Sequence, residues 1–357
     1  MNIGIIGLGL IGGSIARALK SRCGDVHITV MTRSKAAREA VLADGAADTA
    51  TADDYLLFTD CDVVFICVPV HKIIETAEKL TAVVRKDCVV TDVGSVKAAI
   101  VRDMARLPLC FVGGHPMAGS EKSGYSAAVD YLFENAYYIL TPTAGTPVFA
   151  VERLQALTSA MGAIPVILDA AYHDQVVAAI SHMPHIAAAA LVNAVRTLDA
   201  GRGDMQALAA GGFKDVTRIA SSDGALWEAI CNENRDEVLR AVDEFLLHLR
   251  AFRDAFSRHT DIRNFFDSAK EYRDGFAASA RAKYAESFVV HLDVLDKPGS
   301  IATVATLLSS KGINIKNIGI VHNREYHDGV MQIILDSAQE RDGAVLLLKE
   351  TGFTVYE

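Results

Sequence analysis

The sequence predicts an α/β protein whose first domain is a doubly wound parallel sheet, followed by an all-helical domain and a small βαββαβ unit. Three observations carry this. From residue 1 to 168, short and wholly apolar runs alternate with amphipathic stretches, the pattern of a parallel sheet covered on both faces. From 169 to 275 the strand signal disappears and long Ala-, Leu- and Val-rich stretches take over. Over 287–357 strands and helices return in the order of a split βαβ unit.

Length and composition agree. A chain of 357 residues exceeds one ordinary core. With 51% apolar and 22% charged residues it is globular in composition. A net charge of -9 argues against nucleic acid as a partner, because phosphate binding needs a basic footprint; a few local Arg residues can still hold an anionic substrate. Six Cys without a CxxC pair read as reduced, mostly buried thiols. The opening MNIGIIGLGLIGG has no basic region before a cleavage site, and the apolar stretch 186–195 is too short for a bilayer. A cytoplasmic protein without membrane contact is expected.

In the first domain, strands are expected at 3–6, 26–31, 63–68, 88–92, 109–112, 137–140 and 164–167, with helices such as 14–21, 35–43, 73–84 and 148–161 between them. In the second, helical stretches run 174–201, 223–232 and 234–257, with Gly-rich breaks at 201–203 and 211–212. Asn234 stands where a helix N-cap belongs, with Asp236 and Glu237 in the following turn. Residues 276–286 read as a linker. Then come a strand at 288–295, a turn at Asp296-Lys297-Pro298-Gly299, a helix at 301–311, strands at 314–321 and 329–335, a helix at 340–350 and a strand at 354–356. That order is ferredoxin-like.

Gly7-Leu8-Gly9-Leu10-Ile11-Gly12 follows the first strand and opens a helix. The first Gly permits the tight turn, the second lets the backbone approach a pyrophosphate, and the third allows close strand–helix packing. Between a strand and a helix, the motif indicates a Rossmann-type dinucleotide site. An acid that would grip a ribose hydroxyl is missing at the end of the second strand, where Thr32, Arg33 and Ser34 stand. A hydroxyl and a guanidinium suit a 2'-phosphate, so NADP is slightly favoured over NAD. Arg33 stacked on adenine would suit either.

Ligands of an open parallel sheet sit beyond the carboxyl ends of its strands. Here Val68 is followed by Pro69, Asp92 by Val93-Gly94-Ser95 and Val112 by Gly113-Gly114-His115-Pro116. Ser95 and His115 therefore share one rim, and imidazole is suited to proton transfer near neutral pH. The helical domain offers His182 and His185 within Ser181-His182-Met183-Pro184-His185; no carboxylate or Cys stands at ligand spacing, so no metal is expected. Lys214 and Arg218, near Gly211-Gly212, form either a surface charge cluster or a clamp for a carboxylate substrate.

Taken together, GLGLIGGS (7–14), DVGSVK (92–97), GGHPMAGSEKSG (113–124), SHMPH (181–185) and GGFKDVTRIA (211–220) resemble the prephenate dehydrogenase family in order and context. Trp227 and Asn232 also fall where that pattern leads one to look, and the C-terminal unit resembles an ACT domain. The resemblance implies NAD(P)-dependent oxidative decarboxylation of prephenate to 4-hydroxyphenylpyruvate, with arogenate as the alternative substrate. It implies that His115 takes the hydroxyl proton, that Ser95 orients hydroxyl and nicotinamide, and that Arg218 binds a carboxylate beside His182 or His185. An acid near the end of strand two is common in that family, and Thr32 departs from it. The ACT resemblance implies an amino-acid effector, L-tyrosine, held around Asp296, Pro298 and Gly299 with Asn314 and Ile315. Apolar helices that must bury their stripes imply a homodimer. Two rivals differ. A β-hydroxyacid dehydrogenase would carry a catalytic Lys in the helical domain, and Lys214 is the sole Lys between positions 123 and 269. A nucleotide or amino-acid sensor would have no need of Ser95 and His115 on the rim.

Overall fold

The apolar runs of the first domain form β1 (Asn2–Ile6), β2 (His27–Met31), β3 (Thr49–Thr51), β4 (Val63–Ile66), β5 (Val89–Asp92), β6 (Cys110–Pro116), β7 (Tyr137–Thr141) and β8 (Ile164–Ile167). They make one sheet in the order β3-β2-β1-β4-β5-β6-β7-β8. Every residue of β4 and β5 is buried, which is why these strands are apolar throughout instead of alternating. One face packs Ile3, Ile5, Val63 and Phe65 against Ile15, Leu19 and Leu154; the other packs Ile6, Val64 and Ile66 against Phe58, Ile73, Leu80 and Ile100.

The computed structural model describes residues 1–120, 122–276, 288–295, 297–321, 330–335 and 337–356. The chain divides into two units, Met1–Ile262 and Arg263–Glu357.

Three features of the sheet differ from expectation. β3 is a half-buried Thr-Ala-Thr edge strand whose residues carry no apolar signal. β6 runs on through His115 to Pro116 instead of stopping at 112, because it pairs with β7 as far as Pro116 and Tyr138. That pairing is antiparallel, so the sheet is mixed. Among the described residues, the long connection from β6 to β7 brings the chain back without a crossover helix of eight or more residues.

β1 lies between β2 and β4, the point at which the winding reverses and a crevice opens beyond the strand ends. The helix Leu10–Arg22 starts in that crevice. Gly7 has φ +102°, and a side chain there would overlap the Cys67 carbonyl. A Cβ on Gly12 would overlap the Gly7 carbonyl oxygen. A Cβ on Gly9 would meet nothing within 4 Å.

In the helical part, Ala170–Val177, a π-helical turn Ala178–His182 and Met183–Asp199 join end to end. The run starts earlier than position 174 and spans 30 residues, apolar enough by length and composition to cross a bilayer. Within the protein, however, His173, Asp174 and His182 on it are buried, while Ile180, Leu191, Val192 and Leu198 are exposed. Gly211 and Gly212 begin the helix Gly211–Thr217 and do not break the chain. Gly224–Glu233 and Arg235–Ser257 follow. Asn234 precedes the last of these without capping it, since its side chain is used elsewhere.

The second unit opens with the helix Arg263–Asp274, which the sequence pattern did not separate from the domain before it. β9 (Phe288–Asp293), the helix Ser300–Ser310, β10 (Asn317–Val321), β11 (Val330–Leu335), the helix Ala338–Glu350 and β12 (Val355–Tyr356) follow. Their order in the sheet is β10-β11-β9-β12, antiparallel throughout, which is the ferredoxin-like topology. Val290, Leu292, Val304, Leu308, Met331, Ile333 and Leu348 form its core. Asn314 and Ile315 precede β10 instead of belonging to it, because the ladder to β11 begins with Lys316 N–H on the Ile334 carbonyl. Asp296 and residues 277–286 of the expected linker lie outside the described residues.

The two glycines differ in a testable way. Gly12→Ala forces backbone atoms apart and should cost roughly 3 kcal/mol. Gly9→Ala only weakens a helix cap and should cost about 1 kcal/mol or less. Urea unfolding of both variants beside the parent chain measures the difference, and equal losses would contradict this packing.

Candidate active site

β5 and β6 end side by side and bring Ser95 and His115 to the crevice, both partly exposed. Beyond β4 stand Val68 and Pro69, and beyond β2 stand Thr32, Arg33 and Ser34. Thr32 is tied into the sheet edge by its N–H on the Thr51 carbonyl, and its own carbonyl accepts from Arg38 at 2.5 Å. Ser34 caps the next helix by accepting from Ala37 N. Arg33 is exposed.

The start of the Leu10–Arg22 helix has no side-chain cap. The backbone N–H groups of Leu10, Ile11 and Gly12 thus carry the positive end of the helix dipole toward the crevice, past the open flank of Gly9. These residues fit a dinucleotide pyrophosphate: a cradle that a Cβ would fill, and amide donors for an anion.

His115 does not act alone. Its Nδ1 lies 2.8 Å from His173 Nε2, and His173 Nδ1 lies 2.8 Å from Asp174 Oδ1. Asp174 also accepts the backbone N–H groups of Lys97 at 2.7 Å and Ala98 at 2.8 Å. A carboxylate so placed can only accept, so His173 carries its proton on Nδ1. His173 Nε2 then accepts from His115 Nδ1–H when both rings are neutral. His115 Nε2 is left bare. Burial, reinforced by His173, Lys97 and His182, holds the His115 imidazole well below its usual range. At neutral pH the ring is a base.

A second pair of imidazoles stands at the start of the Met183–Asp199 helix. His182 is buried, with Nδ1 accepting from Asn234 Nδ2 at 3.3 Å, and burial pushes it down to about 4. Asn234 Nδ2 also donates to the Asp174 carbonyl at 2.9 Å. His185 donates from Nδ1 to the Ser181 carbonyl at 2.9 Å and stacks on Trp227, with ring centroids 3.8 Å apart. The π turn Ala178–His182 ends on His182 and turns it inward, and the described residues contain no group of three His, Cys, Asp or Glu able to hold a metal ion.

Arg218 and Lys214 are exposed, on a turn and a helix that pack against Met183–Asp199. Asn232, flagged by resemblance, is exposed on the Gly224–Glu233 helix; the asparagine that joins the imidazole network is Asn234. His173, Asp174 and Lys97 were not singled out from sequence. The signal was available in an adjacent His-Asp within the Ala- and Val-rich stretch after β8, and in a Lys placed where DVGSVK turns back into the core. In the second unit, Gly299 has φ +92° at the start of the Ser300–Ser310 helix, which has no side-chain cap, and Pro298 precedes it.

Comparison with known proteins agrees with this architecture. A family model described as the prephenate dehydrogenase nucleotide-binding domain matches residues 15–167, and one described as the prephenate dehydrogenase dimerization domain matches 169–271. Prephenate dehydrogenase of Bacillus subtilis (strain 168) is 38% identical over 349 residues, covering 95% of this chain and 93% of that protein. The crystal structure of Aquifex aeolicus prephenate dehydrogenase with hydroxyphenyl propionate and NAD+ is similar at TM-score 0.72 and 31% identity, over 76% of this chain and 97% of that one. Synechocystis arogenate dehydrogenase is similar at TM-score 0.66 and 31% identity, over 80% of this chain and 100% of that one.

The depressed imidazoles make stability depend on pH. His182 binds its proton at about 4 in the folded chain and near 6.5 when unfolded. The unfolded state therefore takes up protons first as pH falls below 6.5, and stability drops through the window down to about 4. The melting temperature should decline across that window, and less steeply in His182→Gln; identical slopes would contradict the buried neutral ring.

Proposed function

Because the chain belongs to the prephenate dehydrogenase family, we propose that its rim site oxidises and decarboxylates prephenate to 4-hydroxyphenylpyruvate with His115 as the base. The observation that carries this reading is the ordered line Asp174–His173–His115, which leaves one bare imidazole nitrogen at the crevice. Bound nicotinamide supplies the acceptor for the hydride leaving the ring carbon that bears the hydroxyl. His115 Nε2 takes the hydroxyl proton as that carbon–hydrogen bond breaks. The ring carboxylate leaves as CO2, and its electron pair completes the aromatic ring and passes to the oxygen, which recovers the proton from His115 as a phenol. Aromatisation drives the reaction, so the protein has chiefly to position the ring and handle one proton.

The other residues divide the substrate between them. Ser95 orients the reacting hydroxyl. Arg218 takes a carboxylate in its planar fork, with Lys214 adding positive charge, and His185 on Trp227 lines the pocket beside His182. Thr32 and Arg33 favour NADP slightly over NAD, since neither is an acid that would repel a 2'-phosphate. The exposed apolar residues of Met183–Asp199 support a homodimer, in keeping with the dimerization domain matched there. Arogenate, which carries an amino group in place of the keto group of prephenate, is the second substrate, favoured by the likeness to Synechocystis arogenate dehydrogenase.

In the second unit, an amino-acid carboxylate would meet the N–H groups at the uncapped helix start after Pro298 and Gly299. L-Tyrosine is the proposed effector.

Three experiments test these assignments. Incubating the protein with prephenate or arogenate and each nicotinamide should raise the absorbance of reduced cofactor with prephenate, and somewhat better with NADP. His115→Asn should lower kcat by roughly 10²–10⁴-fold, and the acid limb of the parent profile should lie below the ordinary imidazole pKa of about 6.5. A variant that keeps its turnover removes the role. For the effector, calorimetry with L-tyrosine should give heat of binding that Gly299→Val abolishes; no heat with tyrosine in the parent chain leaves the second unit a structural module.

A further inference from the structure

The strand ends that carry Ser95 and His115 are joined beneath the site by one carboxylate. Asp92, the last residue of β5, is fully buried. Its Oδ2 accepts the Gly94 N–H at 2.8 Å, in the turn leading to Ser95. Its Oδ1 accepts the Gly114 N–H at 3.2 Å, one residue before His115. Lys97, also fully buried, donates its ammonium to Oδ2. The backbone N–H of that same Lys97 donates to Asp174, the carboxylate that orients His173.

The glycines around it are required by the approach. A Cβ on Gly94 would lie 2.9 Å from Asp92 Oδ2, and one on Gly114 would lie 2.6 Å from the Asp92 carbonyl and 2.8 Å from Thr91 Oγ1. Asp92, Gly94, Lys97 and Gly114 are half of the residues in DVGSVK and in the Gly-Gly before His115, and this carboxylate accounts for them.

The geometry points to Asp92 and Lys97 as positioning residues: the Asp92 carboxylate sets the spacing of Ser95 and His115, and Lys97 ties that spacing to the Asp174–His173 pair. Stability alone is a weak reason for such a pair. Removing two charges from water costs several kcal/mol each, and apolar residues of similar volume often stabilise as well. What an apolar replacement cannot do is accept from the two backbone N–H groups on either side of the site. Neither residue touches substrate; both act through the backbone. Burial also pulls the Lys97 ammonium down, opposed by Asp92 and Asp174, and its charge is one of those that keep the His115 ring neutral.

This inference rests on the proposed reaction, so its test has a readout within and a readout outside that chemistry. The double variant Asp92→Asn/Lys97→Met removes both charges together and leaves neither uncompensated. With prephenate deuterated at the carbon that gives up hydride, the variant should lose roughly 10²-fold in kcat. KM should change less than about threefold, and the primary isotope effect on kcat should rise as hydride transfer becomes slower. Independently of any turnover, nitrogen-15 shifts of the imidazoles should show His115 as the Nδ1–H tautomer in the parent chain and as a tautomer mixture in the variant. If the parent chain leaves prephenate unchanged, the functional reading fails and the imidazole spectra alone decide the positioning role. Normal kcat in a folded variant overturns the inference, as does an unaltered His115 tautomer. A variant that no longer folds or no longer binds nicotinamide also overturns it, because the pair is then purely structural.

Discussion

The Asp174 carboxylate is the join on which the first unit depends. It belongs to the first helix of the helical region, yet its oxygens are taken by the backbone N–H groups of Lys97 and Ala98, in the turn after β5. Those two donors are among the otherwise unpaired groups at the start of the Ala98–Met104 helix, where a negative charge is also favoured by the dipole. One side chain thus caps a helix of the sheet domain, docks the helical domain on it, and fixes the ring of His173. A docking contact that also sets a tautomer would, in the proposed reaction, make the relation of the two domains part of the chemistry, since slippage between them would loosen the His173–His115 contact.

Burying this many polar groups would be unfavourable without full pairing. Asp92 accepts from three donors, Asp174 from backbone and imidazole, and Asn234 bridges the Asp174 carbonyl and His182. Asp92, Lys97 and Asp174 each have partners, and burial disfavours the cations of the His115 and His182 rings. Rings that resist protonation are useful here only if a base is wanted. A general acid would need the opposite environment.

How much of this could be read from the residues follows from what each signal depends on. The Gly7-Leu8-Gly9-Leu10-Ile11-Gly12 loop is a local conformation, and the crowding at Gly7 and Gly12 is the reason local sequence reveals it. The shared rim position of Ser95 and His115 was legible because strand ends in such a sheet face a crevice regardless of detail. His173 and Asp174 were not, because their meaning lies in contacts 58 residues or more away in the chain. Asn234 misled for a related reason. Its position at a helix start is what a capping residue would occupy, and a tertiary partner outcompeted the local bond. β3 was invisible because three residues at a sheet edge need no apolar pattern.

The antiparallel pairing of β6 with β7 also has a consequence for the site. Were β6 to end at Val112, as in a strand with a parallel neighbour on each side, His115 would stand on a free loop. Instead His115 sits in register with Ile139, so its backbone is held by a ladder on one side while Asp92 holds Gly114 on the other. Side chains anchored on a strand are placed more narrowly than those on loops. The residue with the most demanding geometry therefore occupies a rigid element. Arg218 and Lys214, proposed only to reach a substrate charge, stand exposed on a short turn and helix.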